Sequence, residues 1–510
     1  MMTAAPTKET GRATSATLGG PLRFLTAIST DKPIYRGGDT VYIRGVVLNA
    51  ATHEPLQAAQ TSYATVQIKG PKGDVVTTGS ASTENSLWSF SWSVPQEQAG
   101  GEYTASVSYP SDGWTPAERK FDVRTFRAPR LNSQIKFQRD GYGPGETVTA
   151  TLDVKRAEGG VPQGAKVTVT GNVDGTEIKG ANATVDARGL CTVSLALPAH
   201  IARGEGTLAL IVEDGGVVET ASKTIPILLQ TIDLQIYPEG GDLVAGFKNR
   251  VYIQANQPNG KPADVTGSLI AKTANHTAVV AQVHTEHEGR GRFEFVPEAG
   301  HNYFLTLSKP SGIKKQFPLP QVKSHGAVLR VGKDVFAKGD PIAVSVGCAD
   351  GDCTVTLSKR EQELSAQKIH GSHLMQPVSF TPGRDTDGVL TVTVWGKDAA
   401  PLAERLVFRE PSKTIKVTVT PDSQSYSPGE KVSLKIKTTG DGGKPVESVV
   451  GLTVTDESVL EMIEKREQAP QLPVMVFLEP EVSDLADAHV YLDPKNPRAP
   501  LATDLLLGTQ

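Results

Sequence analysis

Apolar and polar residues alternate in short stretches along most of the chain. The clearest stretch runs from Leu87 to Val94, where Trp88, Phe90 and Trp92 share one side and serines occupy the other. Such period-two alternation predicts β-strands with one buried face. Further stretches of this kind are Tyr103–Val107, Lys166–Thr170, Arg292–Val296, Tyr303–Leu307 and Val389–Val394. Short strands without helices between them predict antiparallel sandwiches rather than α/β units.

A local motif recurs along the chain and divides it into units. An aromatic residue is followed by two spacers, a Gly, an acidic residue and then an alternating strand. The four copies are Tyr35–Asp39, Tyr142–Glu146, Phe336–Asp340 and Tyr426–Glu430, and a degenerate copy is Tyr237–Asp242. Pro-Gly or Gly-Gly makes the turn, and β-branched residues begin the next strand. The repeat therefore predicts one module for each copy.

The predicted fold class is all-β, with tandem immunoglobulin-like antiparallel β-sandwich modules and a short helical segment near the C-terminus. A flexible tail is expected at 1–20, and the modules are expected at 21–128, 129–230, 231–324, 325–410 and 411–510. Helical spacing of apolar residues predicts a helix over Asp456–Arg466 and a second short helix over Ser483–Val490. Three predicted strands do not close a sandwich, so we expect the last module to be incomplete, with its remaining strands beyond Gln510.

Composition narrows the classes of function. The net charge is −4 over 510 residues, and no Lys/Arg stripe stands out, which argues against nucleic acid or an anionic membrane as a partner. No stretch is apolar and long enough to span a membrane, and no signal peptide is visible in residues 1–20. Cys348 and Cys353 flank a turn, where a disulfide and two free thiols are equal alternatives, and Cys191 is expected to be buried in a strand.

Several residues invite a chemical interpretation that their context argues against. The pairs His284/His287 and His370/His373 fall in strand-and-turn sequence without further ligands, so exposed loops are favoured over a metal site. The Trp88-Phe90-Trp92 stripe is interpreted as core rather than as a sugar-stacking platform. The recurring acids favour a turn-stabilising role over calcium, which takes six or more oxygens. We find no catalytic motif and expect no cofactor and no metal.

Three segments resemble the macroglobulin domains of the alpha-2-macroglobulin and complement superfamily, particularly its bacterial branch. Thr30–Arg44, which reads TDKPIYRGGDTVYIR, resembles the opening of the family's second macroglobulin domain. Tyr237–Val244 resembles an opening found in bacterial relatives, and Gly451–Leu460 is similar to the segment that leads toward the bait region. The resemblance implies that 21–466 corresponds to the second through sixth macroglobulin domains and that the first is absent.

The resemblance also implies a function. Family members of this kind act as protease traps, in which cleavage of a bait segment rearranges the domains and, in many members, a thioester captures the protease. That thioester forms within a Cys-Gly-Glu-Gln sequence, and neither Cys191 nor the Cys348/Cys353 pair lies in one. We therefore expect a non-catalytic endopeptidase-inhibitor scaffold, extracellular, periplasmic or at the cell surface, with proteases as partners. The alternative is a structural or adhesive β-sandwich array that contacts other surface proteins.

The candidate bait lies between Lys465 and about Arg498. Lys465 and Arg466 offer a site to trypsin-like enzymes, and the position follows the segment that resembles the lead into the bait region. The alternative is a helical insertion packed on the last module, because Val474–Leu478 is too apolar for an unprotected loop.

Overall fold

The structure, a computed structural model, describes most of the chain. The described residues are 2–3, 15–16, 23–50, 52–56, 62–110, 113–124, 130–228, 231–273, 276–360, 362–397, 399–427, 429–453, 470–482 and 485–510. Regular structure within them is almost entirely antiparallel β-strand, so the predicted all-β fold class is confirmed. A two-residue pair, β1 (Met2–Thr3) and β2 (Ser15–Ala16), precedes the sandwiches.

The first sandwich packs a three-stranded sheet against a five-stranded one. The three-stranded sheet contains β3 (Phe24–Thr30), β5 (Thr40–Asn49) and β8 (Leu87–Ser93) in that order. The five-stranded sheet contains β4 (Ile34–Tyr35), β6 (Tyr63–Lys69), β7 (Val75–Ser82), β9 (Gly101–Ser108) and β10 (Ala117–Val123), in the order β4-β10-β9-β6-β7. Their inner faces form one hydrophobic core between Phe24 and Val123.

The second sandwich repeats this arrangement. Its smaller sheet contains β11 (Leu131–Phe137), β12 (Thr147–Arg156) and β16 (Leu190–Ala196). Its larger sheet contains β13 (Lys166–Val173), β14 (Thr176–Lys179), β15 (Ala183–Thr184), β17 (Gly206–Asp214) and β18 (Val217–Thr224). The core extends from Leu131 to Ile227 and includes Cys191, which is buried as predicted.

The third sandwich adds a short parallel pair to the same plan. Its smaller sheet contains β19 (Asp233–Pro238), β21 (Asn249–Asn256) and β24 (Arg290–Phe295), and its larger sheet contains β22 (Thr266–Lys272), β23 (Thr277–His284), β25 (Asn302–Lys309) and β26 (Gln316–Pro318). The parallel pair is β20 (Leu243–Val244) with β27 (Val322–Lys323). The core lies between Ile232 and Leu319.

The fourth sandwich again has one three-stranded and one four-stranded sheet. The smaller contains β28 (Ala327–Val331), β29 (Ile342–Cys348) and β32 (Ser372–Phe380), and the larger contains β30 (Cys353–Lys359), β31 (Gln362–Ile369), β33 (Gly388–Trp395) and β34 (Pro401–Arg409). Cys348 and Cys353 form a disulfide across the β29–β30 turn. The sequence left a disulfide and two free thiols as alternatives, and the structure has the disulfide.

The next described strands form a two-stranded hairpin. β35 (Lys416–Pro421) pairs with β36 (Leu434–Thr439), and a 3-10 turn follows at Asp441–Gly443. Val419 pairs with Ile436 and Pro421 with Leu434, so these apolar residues share one face, because paired residues in an antiparallel ladder point to the same side. All of them are exposed.

The C-terminal segment, residues 470–482 and 485–508, is helical in two places. α1 spans Leu472–Phe477 and α2 spans Ala499–Gly508. The helix predicted over Ser483–Val490 is wrong for its described residues, which form turns. Asp487 has a φ of 57°, in the left-handed region that a right-handed helix excludes. The helix predicted over Asp456–Arg466 lies outside the described residues.

The described contacts divide the chain into two compact units. One comprises the residues up to 125 together with 326–508 and 510, and the other comprises 126–325 with Thr509. The first unit therefore contains the first sandwich, the fourth sandwich, the hairpin and the C-terminal segment. The second unit contains the second and third sandwiches.

Candidate functional site

The recurring acidic residues close the turns that follow the first strand of each unit. Each carboxylate accepts a hydrogen bond from the backbone N–H three residues before it. These bonds are Arg36 N to Asp39, Gly143 N to Glu146, Ala337 N to Asp340 and Ser427 N to Glu430. The acid's own N–H returns a bond to the carbonyl of that same residue in all four copies. The turn-stabilising role is therefore confirmed.

The aromatic residue of the motif ties the turn to the strand before it. The Tyr35 hydroxyl donates to Asp31, whose carboxylate also accepts from the Tyr42 backbone N–H. Tyr35 is fully buried, and burial together with the bond to Asp31 raises the pKa of its hydroxyl. Tyr426 donates to Asp422 in the same way. One local network thus recurs at the first and last copies.

The aromatic stripe of β8 faces the core. Trp88 is buried and donates its ring N–H to the Tyr109 hydroxyl at 2.9 Å, while Phe90 and Trp92 pack against the same core. The alternating serines are exposed. The core interpretation is confirmed, and the stripe is not a sugar-stacking surface.

The histidine pairs do not lie in a ligand cluster. His370 approaches Asp352 at 3.2 Å at the surface. Over the part of the chain that the structure describes, no three His, Cys, Asp or Glu side chains are grouped as a metal site. Burial raises the pKa of the Cys191 thiol, which disfavours the reactive thiolate.

The bait candidates Lys465 and Arg466 lie in the stretch 454–469, outside the described residues. The described residues before that stretch are exposed, as at Val449 and Leu452. The residues after it are packed, beginning with α1. Within the proposed bait of Lys465 to about Arg498, the described part from Leu472 onward therefore contains buried residues, among them Val474–Val476 and Leu478.

The C-terminal segment packs on the fourth sandwich. Of the two sequence alternatives, the packed insertion was expected on the last module instead. Val474, Leu478 and Leu506 form a second core with Val389 and Phe408. Val389 and Phe408 alternate along their strands with residues of the sandwich's own core, so the segment covers the opposite face of that sheet.

Charged contacts fasten the same segment. Arg405 and Asp504 form an ion pair at 2.7 Å with side chains 4% and 2% exposed.

Sequence reasoning missed α2, although Pro500 near its start and Gly508 at its end are the usual signals of a helix with these bounds. Its apolar run Leu505–Leu507 is fully buried.

Two parts of the chain match known domain families. Residues 26–123 match the MG2 domain, and residues 389–462 match the alpha-2-macroglobulin bait region domain. The curated alpha-2-macroglobulin of Ralstonia nicotianae is 21% identical over 475 residues, which cover 84% of this chain and 29% of that protein. The chain thus spans less than a third of that relative's length.

Solved structures of bacterial alpha-2-macroglobulins are also similar. The Salmonella protein reacted with methylamine is 13% identical, with a TM-score of 0.42, over 89% of this chain and 34% of that one. The native conformation of the Escherichia coli protein is 13% identical, with a TM-score of 0.40, over 83% of this chain and 32% of that one. No helix within the described ranges is long and apolar enough to cross a membrane.

Proposed function

Because the chain is a member of the alpha-2-macroglobulin family, we propose that it is a non-catalytic endopeptidase-inhibitor scaffold with a bait segment at Lys465-Arg466. Its partners are proteases, and its place is extracellular, periplasmic or at the cell surface. The expected module boundaries near 129, 231, 325 and 411 are part of this proposal.

The observation that supports the bait most is its place along the chain. The bait region match ends at residue 462, shortly before Lys465. The exposed residues Val449 and Leu452 precede the candidate stretch, and the packed C-terminal segment follows it. Cleavage needs backbone that can enter an active site, and packed backbone must first open locally. We therefore restrict the proposed bait to the part of the Lys465–Arg498 segment that precedes α1, around Lys465 and Arg466.

The proposal includes no covalent capture by this chain. The sequence contains no Cys-Gly-Glu-Gln, Cys348 and Cys353 are bonded to each other, and Cys191 is buried. A protease that cuts the bait should leave without a covalent adduct and keep its activity on small substrates.

Low-dose digestion with a trypsin-like protease tests the proposal. The first cut should fall after Lys465 or Arg466, and the variant Lys465→Gln/Arg466→Gln should lose that cut. The matched control Lys495→Gln/Arg498→Gln changes two exposed basic residues of the packed segment and should leave the first cut in place. First cuts elsewhere, with 465–466 intact, would reject the bait, and a covalent protease adduct would contradict the missing capture chemistry.

A further inference from the structure

The C-terminal segment touches two sandwiches at once. Glu479, just beyond α1, receives both of its bonds from the Arg119 guanidinium of β10 in the first sandwich, at 3.0 Å each. Glu481, two residues later, pairs at 2.8 Å with Arg360 at the end of β30 in the fourth sandwich. Both bonds come from one guanidinium nitrogen, Nη2, and hydrogen bonds between charged groups are stronger than neutral ones. The segment therefore bridges two sandwiches that are far apart along the chain.

His53 lies at the centre of this bridge. It occupies the turn after β5, with a φ of 57°, and its ring meets the Phe477 ring edge-on with centroids 5.0 Å apart. Gly388, at the start of β33, lies against both rings. A Cβ at Gly388 would stand 2.9 Å from Phe477 Cδ1 and 3.6 Å from His53 Cε1. The first sandwich, the fourth sandwich and α1 thus meet at one histidine.

The surroundings of His53 suit a neutral ring. Both ring nitrogens are buried without a hydrogen-bond partner among the described residues. The positive charges of Lys359 and Arg360, at the end of β30, disfavour a proton on the ring. Each of these cations pairs with a carboxylate, Lys359 with Asp387 at 3.7 Å and Arg360 with Glu481 at 2.8 Å. A proton on the ring would therefore lack an acceptor and would add a third positive charge to the cluster.

We propose that the C-terminal segment is an acid-released clasp between the first and fourth sandwiches, with His53 as its proton sensor. This clasp does not involve cleavage at Lys465, so the two proposals are tested separately.

The direction of the pH effect follows from the two states of His53. In the closed clasp, burial first, then Lys359 and Arg360, lower the pKa of His53 to about 3. In the open clasp the ring has its ordinary pKa of about 6.5. The open state therefore binds more protons between these values. The clasp has its full stability above about pH 6.5 and loses stability as the pH falls toward 3.

Hydrogen exchange of the full chain at pH 7.5 and pH 5.0 tests this clasp. Once corrected for the intrinsic pH dependence of exchange, the protection factors of α1 should be about 30-fold lower at pH 5.0 than at pH 7.5. This factor follows from a His53 pKa of about 6.5 in the open state, because pH 5.0 lies about 1.5 pH units below it. The strands of the second sandwich should show no such change. His53→Gln cannot take the proton, so its α1 protection should be the same at both pH values. The matched control His373→Gln, at an exposed histidine of the fourth sandwich, should keep the wild-type response.

Two results would overturn the clasp. The first is that α1 protection in the wild type is the same at both pH values. The second is that α1 of His53→Gln loses as much protection at pH 5.0 as α1 of the wild type. If His53→Gln left α1 unprotected even at pH 7.5, NMR titration of the wild-type His53 ring would decide. A pKa well below 5 supports the sensor, and a pKa near 6.5 refutes it.

Discussion

The fourth sandwich and the hairpin β35–β36 share the same turn between their first two strands, but only the sandwich buries its apolar residues. Asp340 and Glu430 accept the same backbone hydrogen bond, three residues back, in both. Phe336, the aromatic of the first turn, is buried in a closed core, whereas Val417, Val419 and the rest of the hairpin's apolar face are exposed.

The difference shows which part of the fold is local. The turn needs only its own few residues, because its hydrogen bonds join positions three apart. Burial needs a second sheet, and a two-stranded hairpin alone is marginally stable in water. In the fourth sandwich that sheet is β31-β30-β33-β34, and the C-terminal segment then covers its other face.

Ion-pair variants should give the largest difference in stability between the fourth sandwich and the hairpin. Arg405→Met should destabilise the protein by about 3–5 kcal/mol, because it removes one charge of a buried ion pair and keeps the other. Lys338→Met removes the exposed partner of Asp441 beside the hairpin and should change nothing measurable. Denaturant unfolding followed by circular dichroism measures both. Equal midpoints for the two variants would refute the contrast.

Apolar truncation should give the next largest contrast. Leu506→Ala opens a cavity between α2 and the fourth sandwich, at a fully buried position, and should cost about 2–5 kcal/mol. Val419→Ala in the hairpin shortens a residue that is 48% exposed and should cost less than about 0.5 kcal/mol. Thermal unfolding of the two variants compares them directly. A cost at Val419 as large as that at Leu506 would mean that the hairpin face is covered in solution.

The smallest contrast concerns the turn itself. Asp39→Ala removes the bond from Arg36 N and the ion pair with Lys32, and should lower the stability of the first sandwich by about 1 kcal/mol. Glu430→Ala removes the equivalent bond in the hairpin, where no described core depends on it. The unfolding midpoint should therefore fall in the first variant and stay unchanged in the second. A fall in the second would show that the hairpin is coupled to a cooperative core.

The sequence predicted the features that are local or periodic. Alternation located β8, β9 and β33 and their inward faces, because side chains change sides at every residue of a strand. The motif predicted the turns, and the role of acids such as Asp39 and Glu146 followed from the same few residues.

The sequence did not predict where the C-terminal segment packs. The contact of Phe477 with His53 and the pair of Arg119 with Glu479 join residues hundreds of positions apart. The periodicity of apolar residues within one segment cannot predict contacts between distant segments. The incorrect helix near Asp487 failed for another reason, since helical spacing cannot register a single residue held at positive φ. Lys465 and Arg466 stay a prediction.

Hydrogen exchange at pH 7.5 tests most directly whether the C-terminal segment is packed and the apolar face of the hairpin is uncovered. Amides protected by a core exchange only when that core opens, whereas those of an uncovered hairpin exchange on local opening. We predict that α1 and α2 are protected to a degree comparable with β33 and β34, and that 416–439 exchanges faster by orders of magnitude. A hairpin as protected as β33, or an α2 that exchanges as fast as the hairpin, would contradict the account.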